Sequence, residues 1–125
     1  MSDDVYERGL TVRREVLGDE YVDRALARAT ELDSDFQEFI TRYAWGAVWA
    51  RPELDRRTRS AVTLALLAAL GRENEVPIHV RGALRNGLST DEIREVLLQT
   101  AIYAGVPAAN SAFSIARQVL EEEQA

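Results

Sequence analysis

The sequence predicts an all-α protein. Along nearly every segment the apolar residues recur at the three- and four-residue spacing of helices, and no segment sustains the two-residue alternation of a strand. Residues that begin or end helices divide this pattern into six to seven stretches. With 125 residues, 46% of them hydrophobic, the chain is long enough to bury a substantial core. We therefore expect one helical domain that spans residues 1–125.

The first three predicted helices are bounded by glycine, aspartate and serine. Gly18 ends the first helix, because glycine adopts the left-handed conformation that terminates helices. Asp19 caps the second, and Asp33 or Ser34 caps the third, since their side chains can accept from free N–H groups. These helices cover about residues 5–17, 19–29 and 34–49.

The remaining predicted helices have equally local signals. Asp55 caps the fourth helix and Gly71 closes it. Ser89 and Glu92 have the spacing of a capping box at the start of the sixth, and Pro107 suits the first turn of the seventh. The four helices cover about residues 56–70, 75–86, 90–103 and 107–121.

The fourth helix predicts self-association. Its segment 61–70 is apolar nearly all round, which is typical of a central helix or of one buried between subunits. Small residues that would permit close helix approach occur there and in a second patch, at Ala65, Ala68, Ala69, Ala101, Ala104, Gly105, Ala108 and Ala109. We expect a homo-oligomer.

Composition excludes several classes of function. A net charge of −6 disfavours a general role in nucleic-acid binding, which usually needs a basic patch. The absence of cysteine excludes disulfides, thiolate metal sites and thiol redox chemistry, and a single histidine excludes a poly-histidine metal site within one subunit. The acidic start is unlike a signal peptide, and the longest apolar run is about half a membrane span. We expect a cytoplasmic protein with neither nucleic-acid nor membrane partners.

His79 is the one side chain whose ordinary pKa lies near neutrality. Glu75 lies four residues before it and Asn86 seven after it, so one helix would bring all three to one face. A carboxylate at this spacing would raise the pKa of the imidazole and orient a general acid. An exposed ion pair without function explains the same spacing, and from spacing alone it is the favoured explanation.

Arginine supplies a candidate for anion binding. The chain has no lysine, and guanidinium groups bind carboxylates in a two-pronged geometry. Arg72, Arg81 and Arg85 surround His79, although the last two point to another helical face. Most arginines of the chain must simply offset its acidic surface.

Aromatic and amide side chains complete the candidates. Trp45 and Trp49 share one helical face, with Tyr43 beside them, and core packing is the favoured explanation for at least one tryptophan. The weaker candidates for contact with a ligand are Tyr43, Asn86, Tyr103 and Asn110.

Together these residues resemble the carboxymuconolactone decarboxylase family. The similarity runs from about Gly9 to Leu120 in consistent order, which is more specific than any single motif. It rests on residues 40–46 (ITRYAWG), 54–60 (LDRRTRS), 79–87 (HVRGALRNG), 93–99 (IREVLLQ) and 102–111 (IYAGVPAANS).

The resemblance implies an all-α oligomer, commonly a hexamer, with a trimer as the alternative. It also implies cofactor-free decarboxylation of γ-carboxymuconolactone to β-ketoadipate enol-lactone and CO2, in the catabolism of the aromatic compound protocatechuate. Related thiol peroxidases carry a Cys-x-x-Cys pair ahead of the histidine, where this chain has Arg72 and Glu75, so the resemblance excludes their activity. The alternatives are a non-enzymatic small-molecule-binding oligomer, or a decarboxylase or isomerase of a related lactone.

Within that reaction we assign roles as hypotheses. His79, held by Glu75, donates a proton or a hydrogen bond to the developing oxyanion. Arg72 or Arg81 holds the carboxymethyl group that is retained. The departing carboxylate lies against apolar or aromatic surface, with Trp45 or Trp49 as the candidate, where desolvation favours neutral CO2.

Overall fold

The computed structural model describes residues 4–124, and these residues form seven α-helices and one π-helical segment, without a strand among them. The all-α prediction is confirmed. No helix among the described residues is long and apolar enough to cross a membrane. The elements are α1 (Asp4–Leu17), α2 (Asp19–Ala27), α3 (Ser34–Phe39), the π segment (Ile40–Trp49), α4 (Arg56–Leu70), α5 (Val76–Arg85), α6 (Thr90–Ala104) and α7 (Val106–Gln124).

Several local signals placed helix ends correctly, but two predicted caps were wrong. Gly18 rather than Asp19 is the N-cap of α2, and Asp33, the N-cap of α3, makes no capping hydrogen bond with its side chain. The backbone turns at Gly18 with φ 91° between α1 and α2. At the start of α6, Ser89 Oγ accepts from Glu92 N–H at 3.0 Å, while Glu92 Oε1 accepts from Ser89 N–H at 2.9 Å. Both halves of the predicted capping box are therefore present.

Several predicted helix extents differ from the structure. The second helix ends at Ala27 rather than near Ala29, and the seventh ends at Gln124 rather than near Glu121. The third helix was expected to continue as one α-helix to residue 49, but it becomes π-helical at Ile40. The fifth begins at Val76 rather than at Glu75. The chain forms two compact units, with the division between Asp55 and Arg56. The expectation of one domain over residues 1–125 stays a prediction.

In the first unit, α1 and the π segment pack with almost no space between their backbones. A Cβ atom on Gly9 would lie 2.0 Å from the carbonyl oxygen of Thr41, and one on Gly46 would lie 2.3 Å from that of Val5. Only glycine fits at these two positions, because any side chain would force the helices apart.

Arg13 and Thr41 fix the point where the π segment starts. Thr41 Oγ1 donates to the carbonyl oxygen of Gln37 at 2.7 Å, and it accepts from the Arg13 guanidinium at 3.1 Å. At the other end, Ala50 N–H reaches back five residues to Trp45 O at 3.0 Å. The wide hydrogen-bonding pattern is thus supported by α1, which the local sequence does not reveal.

The second unit contains the larger apolar core. Leu64 and Ala68 of α4 pack in one cluster with the apolar faces of the other three helices. That cluster includes Val76, Val80, Ala83, Ile93, Leu97, Ala112, Ala116 and Val119. The opposite side of α4 exposes Val62, Leu66 and Leu70 at four-residue intervals, so the helix is apolar on both faces.

Candidate active site

His79 lies in the second turn of α5, next to the face that enters the core. Its neighbours at helical spacing, Val76, Val80 and Ala83, are all buried. The imidazole is partly buried, and its Nδ1 atom is shielded from solvent. The helix thus carries its titratable ring into an apolar environment while leaving one side of the residue accessible.

Burial determines the charge of this ring. Desolvation lowers the pKa of His79 from its ordinary value of 6.5 to about 4, because the apolar surroundings disfavour the imidazolium. The prediction that Glu75 raises this pKa was therefore wrong. At pH 7 His79 is a neutral imidazole, which can accept a proton or donate one hydrogen bond, but is not a cationic acid.

Glu75 was misplaced because α5 begins one residue later than expected. Glu75 precedes the helix, its side chain is exposed, and its carbonyl oxygen accepts from His79 N–H at 3.3 Å. The link between the two residues is therefore through the backbone. Glu75 also lines a shallow cleft of about 270 Å³ with the other residues of the turn after α4, Gly71, Arg72, Glu73 and Asn74.

Arg72 extends from this turn as an exposed side chain. Its N–H bonds to Leu67 O at 2.9 Å, which fixes the backbone just after α4. Its guanidinium forms no ion pair with the residues that the structure describes. Arg72 is thus free to bind an anion close along the chain to His79.

Arg81 forms ion pairs with two glutamates of α7. Its guanidinium pairs with Glu122 at 2.5 Å and with Glu123 at 3.3 Å, at the end of α7. This agrees with the different helical face expected for it, and it disfavours Arg81 as a substrate ligand compared with Arg72. Arg85 is exposed on the last turn of α5.

Asn86 has a structural partner that the sequence did not indicate. Its Nδ2 donates to Ser60 Oγ at 2.9 Å, and Ser60 is fully buried on α4. Next to it, Arg57 donates to Gly87 O and pairs with Glu92. The end of α5 is therefore tied to α4 and α6. The signal that could have indicated this is the run of polar residues 56–60 at the start of an otherwise apolar helix.

The aromatic candidates belong to the first unit. Trp45 is buried and Trp49 is half-buried, and their rings stack with centroids 4.9 Å apart and planes 26° apart. Tyr43 is exposed and contacts Phe39 with ring centroids 5.1 Å apart. The two tryptophans therefore contact each other on the π segment, whereas the ring partner of Tyr43 is Phe39.

Tyr103 and Asn110 are both exposed in the second unit. Tyr103 is at the end of α6, 83% accessible, and Asn110 is in the second turn of α7. Because their side chains are so exposed, Tyr103 and Asn110 do not line an enclosed site within one subunit. A role for either in ligand contact stays a prediction.

Comparison with known proteins identifies the family. Residues 34–118 match the model of the carboxymuconolactone decarboxylase family. The chain belongs to the carboxymuconolactone decarboxylase family. Over 94% of its length it is 49% identical to a 4-carboxymuconolactone decarboxylase of Acinetobacter baylyi, of which it covers 87%. It is 42% identical over 94% of its length to a nitrosuccinic acid decarboxylase of Metarhizium robertsii, of which it covers 82%.

A shorter match concerns a 4-carboxymuconolactone decarboxylase of Pseudomonas putida, which is 51% identical over 33% of this chain and 85% of its own length. Each of the two longer matches spans nearly the whole chain and therefore includes His79 and the turn before it. Both relatives are named as decarboxylases, so this member of the carboxymuconolactone decarboxylase family is an enzyme of that kind.

Proposed function

We propose that this protein decarboxylates γ-carboxymuconolactone to β-ketoadipate enol-lactone and CO2, without a cofactor, in protocatechuate catabolism. The observation that carries the proposal is the 49% identity, over 94% of the chain, with a protein named 4-carboxymuconolactone decarboxylase. The neutral, partly buried His79 supports it, because a neutral donor in an apolar environment suits a reaction in which negative charge moves onto an oxygen.

The substrate contains its own acceptor of electrons. The bond between the γ-carbon and its carboxylate breaks, and the electron pair moves through the ring double bond onto the lactone carbonyl oxygen. The resulting dienolate takes up one proton at the carbon next to that carbonyl, which gives the enol-lactone. The protein must hold the dianion, stabilise the oxyanion and exclude alternative reactions.

His79 provides the oxyanion contact in this proposal. A neutral imidazole N–H donates a hydrogen bond to the lactone oxygen as its charge grows, and the apolar neighbours strengthen that bond. With the pKa near 4, an imidazolium is scarce at pH 7, so His79 does not supply the proton that reaches carbon. In this proposal that proton comes from solvent. This replaces the cationic acid expected from the sequence.

Arg72 holds the retained carboxymethyl group. Its guanidinium extends from the turn that precedes α5 and forms no ion pair with the described residues, whereas Arg81 is occupied by two glutamates. An arginine can bind a carboxylate with two parallel hydrogen bonds, which lysine cannot reproduce.

The test measures CO2 release from freshly made γ-carboxymuconolactone above the uncatalysed rate. His79→Ala should lower kcat by about 100-fold or more, as the loss of an oxyanion donor does elsewhere, while His79→Gln, which keeps an N–H donor, should lose less. Arg72→Lys should raise KM, and Arg117→Lys on the exposed side of α7 is the matched control. A His79→Ala variant within threefold of wild type contradicts the oxyanion role.

A second candidate substrate follows from the other relative. The protein that is 42% identical over 94% of the chain is named for nitrosuccinic acid, a dicarboxylate whose nitro group can accept the electron pair that decarboxylation releases. The same neutral donor and arginine would serve this substrate. Parallel assays with both compounds decide between them, since the true substrate should have the larger kcat/KM.

We also propose a homo-oligomer, with a hexamer favoured by the family resemblance and a trimer as the alternative. The support is the exposed apolar stripe of α4, formed by Val62, Leu66 and Leu70. Leu66→Glu should lower the mass found by sedimentation equilibrium, whereas the same replacement at polar Gln118 should not. An unchanged mass in Leu66→Glu excludes this stripe as the contact. The cytoplasmic location stays a prediction.

A further inference from the structure

Arg13 is a buried cation without an anionic partner among residues 4–124. The side chain is 3% exposed, and its two terminal nitrogens donate to neutral oxygens, Thr41 Oγ1 at 3.1 Å and Gln37 Oε1 at 3.0 Å. Its Nε atom is buried and has no hydrogen-bond partner among the described residues. Desolvation lowers the pKa of Arg13, which reflects the cost of this burial. A nearby anion would offset that cost.

Gln37 connects Arg13 with a cleft in the first unit. A guanidinium has only donors, so the amide atom that contacts Arg13 must be the oxygen. The N–H groups of the Gln37 amide are then left for another partner. Gln37 also lines a cleft of about 230 Å³, which we call the α2–α3 cleft, together with Tyr21, Arg24, Ala25, Arg28 and Asp33.

The charges around the α2–α3 cleft favour an anion. Arg24 is paired with Glu20 at 2.8 Å, but Arg28 forms no ion pair with the residues that the structure describes. The carboxylate that lines the cleft, that of Asp33, accepts from Thr30 N–H at 2.7 Å and so belongs to the turn before α3. Together with Arg13, which contacts Gln37, the arginines at this cleft carry three positive charges, on Arg13, Arg24 and Arg28. Glu20 and Asp33 carry two negative charges, so one positive charge is left over.

We propose that the α2–α3 cleft binds a small carboxylate. Arg28 grips its two oxygens, the Gln37 amide and the Tyr21 hydroxyl donate to it, and buried Arg13 attracts it through Gln37. The volume of about 230 Å³ lies below the roughly 300–1,000 Å³ of pockets for drug-sized ligands, so the occupant is a short acid. None of the residues that line this cleft is among those assigned to decarboxylation.

Thermal unfolding of the full-length protein in sodium acetate and in sodium chloride, at equal ionic strength and protein concentration, tests the site. Acetate at about ten times Kd should raise Tm by roughly 4–6 °C over chloride. In Arg28→Ala the difference should disappear, and in Arg117→Ala, which alters an exposed arginine of α7, it should persist. Equal Tm values for the wild type in both salts, or an acetate effect that survives in Arg28→Ala, would overturn the proposal.

Gln37→Glu provides a test in the opposite direction. The new carboxylate would take the place of the bound acid by accepting from Arg13. The variant should have a higher Tm than wild type in chloride, and acetate should add nothing. A Gln37→Glu variant that is less stable than wild type, or that still responds to acetate, contradicts the role of Arg13. A response of the wild type to phosphate but not to acetate contradicts the ligand class.

Discussion

His79 should make the stability of this protein depend on pH between about 7 and 4. The folded-state pKa is lowered to about 4, while the unfolded chain has the ordinary value of 6.5. Between these values the unfolded state binds the extra proton, so the free energy of unfolding falls as the pH falls. This contribution is complete above pH 7 and is lost by about pH 4.

The magnitude follows from the two pKa values. Lowering the pH from 7 to 5 should cost about 2 kcal/mol through His79 alone, and the full shift corresponds to about 3 kcal/mol. Both are upper values, because the ring retains some access to water. Carboxylates titrate at lower pH as well, so the measurement needs a reference that lacks the imidazole.

Urea unfolding of wild type and His79→Gln at pH 7 and pH 5, at one protein concentration, isolates the contribution. The wild type should lose about 2 kcal/mol more than the variant over this range. Because the chain has one histidine, an NMR titration of the imidazole C–H signals gives the folded-state pKa without ambiguity. Equal losses in both proteins, together with a titration midpoint near 6.5, would refute the assignment of a buried neutral ring.

Two further pairs of substitutions test the packing around the candidate residues. Gly46→Ala places a Cβ 2.3 Å from Val5 O and should destabilise the protein by about 2–3 kcal/mol in thermal unfolding. Gly71→Ala is the control, because no atom lies within 4 Å of its added Cβ, and it should cost only about 1 kcal/mol from its φ of +71°. Equal losses of stability in the two variants would contradict the close contact at Gly46. Asn86→Leu and Ser60→Ala should show a coupling of about 1 kcal/mol in a double-mutant cycle of urea unfolding, and additive effects would argue against their hydrogen bond.

Helix boundaries were predictable where their determinants are local. Ser89 and Glu92 form the predicted box because both partners lie within one turn, and Gly18 turns the chain because it alone tolerates φ 91° there. The π segment was not predictable, because its start depends on Arg13, which lies 28 residues from Thr41 in the sequence. The spacing of apolar residues along the chain does not indicate a contact between residues so far apart in the sequence.

In the candidate site, too, local features could be predicted from the sequence and features that depend on the fold could not. His79 could be found from sequence because it is the one histidine. Its charge could not, since the shift in pKa arises from burial of the ring in the folded protein rather than from the nearest carboxylate. Glu75 was assigned by spacing on a helix that begins only at Val76. Likewise the Asn86–Ser60 contact joins two helices, so it appears only after the fold is known.

The pH dependence of CO2 release from γ-carboxymuconolactone distinguishes a neutral His79 from a cationic acid. If neutral His79 is the active form, kcat/KM should be constant from pH 8 down to about 5.5 and should fall as the free-enzyme pKa near 4 is approached. His79→Ala should lie about 100-fold lower across the whole range. A kcat/KM that declines as the pH rises from 5 to 8, as a cationic acid would require, would show that neutral His79 is not the active form.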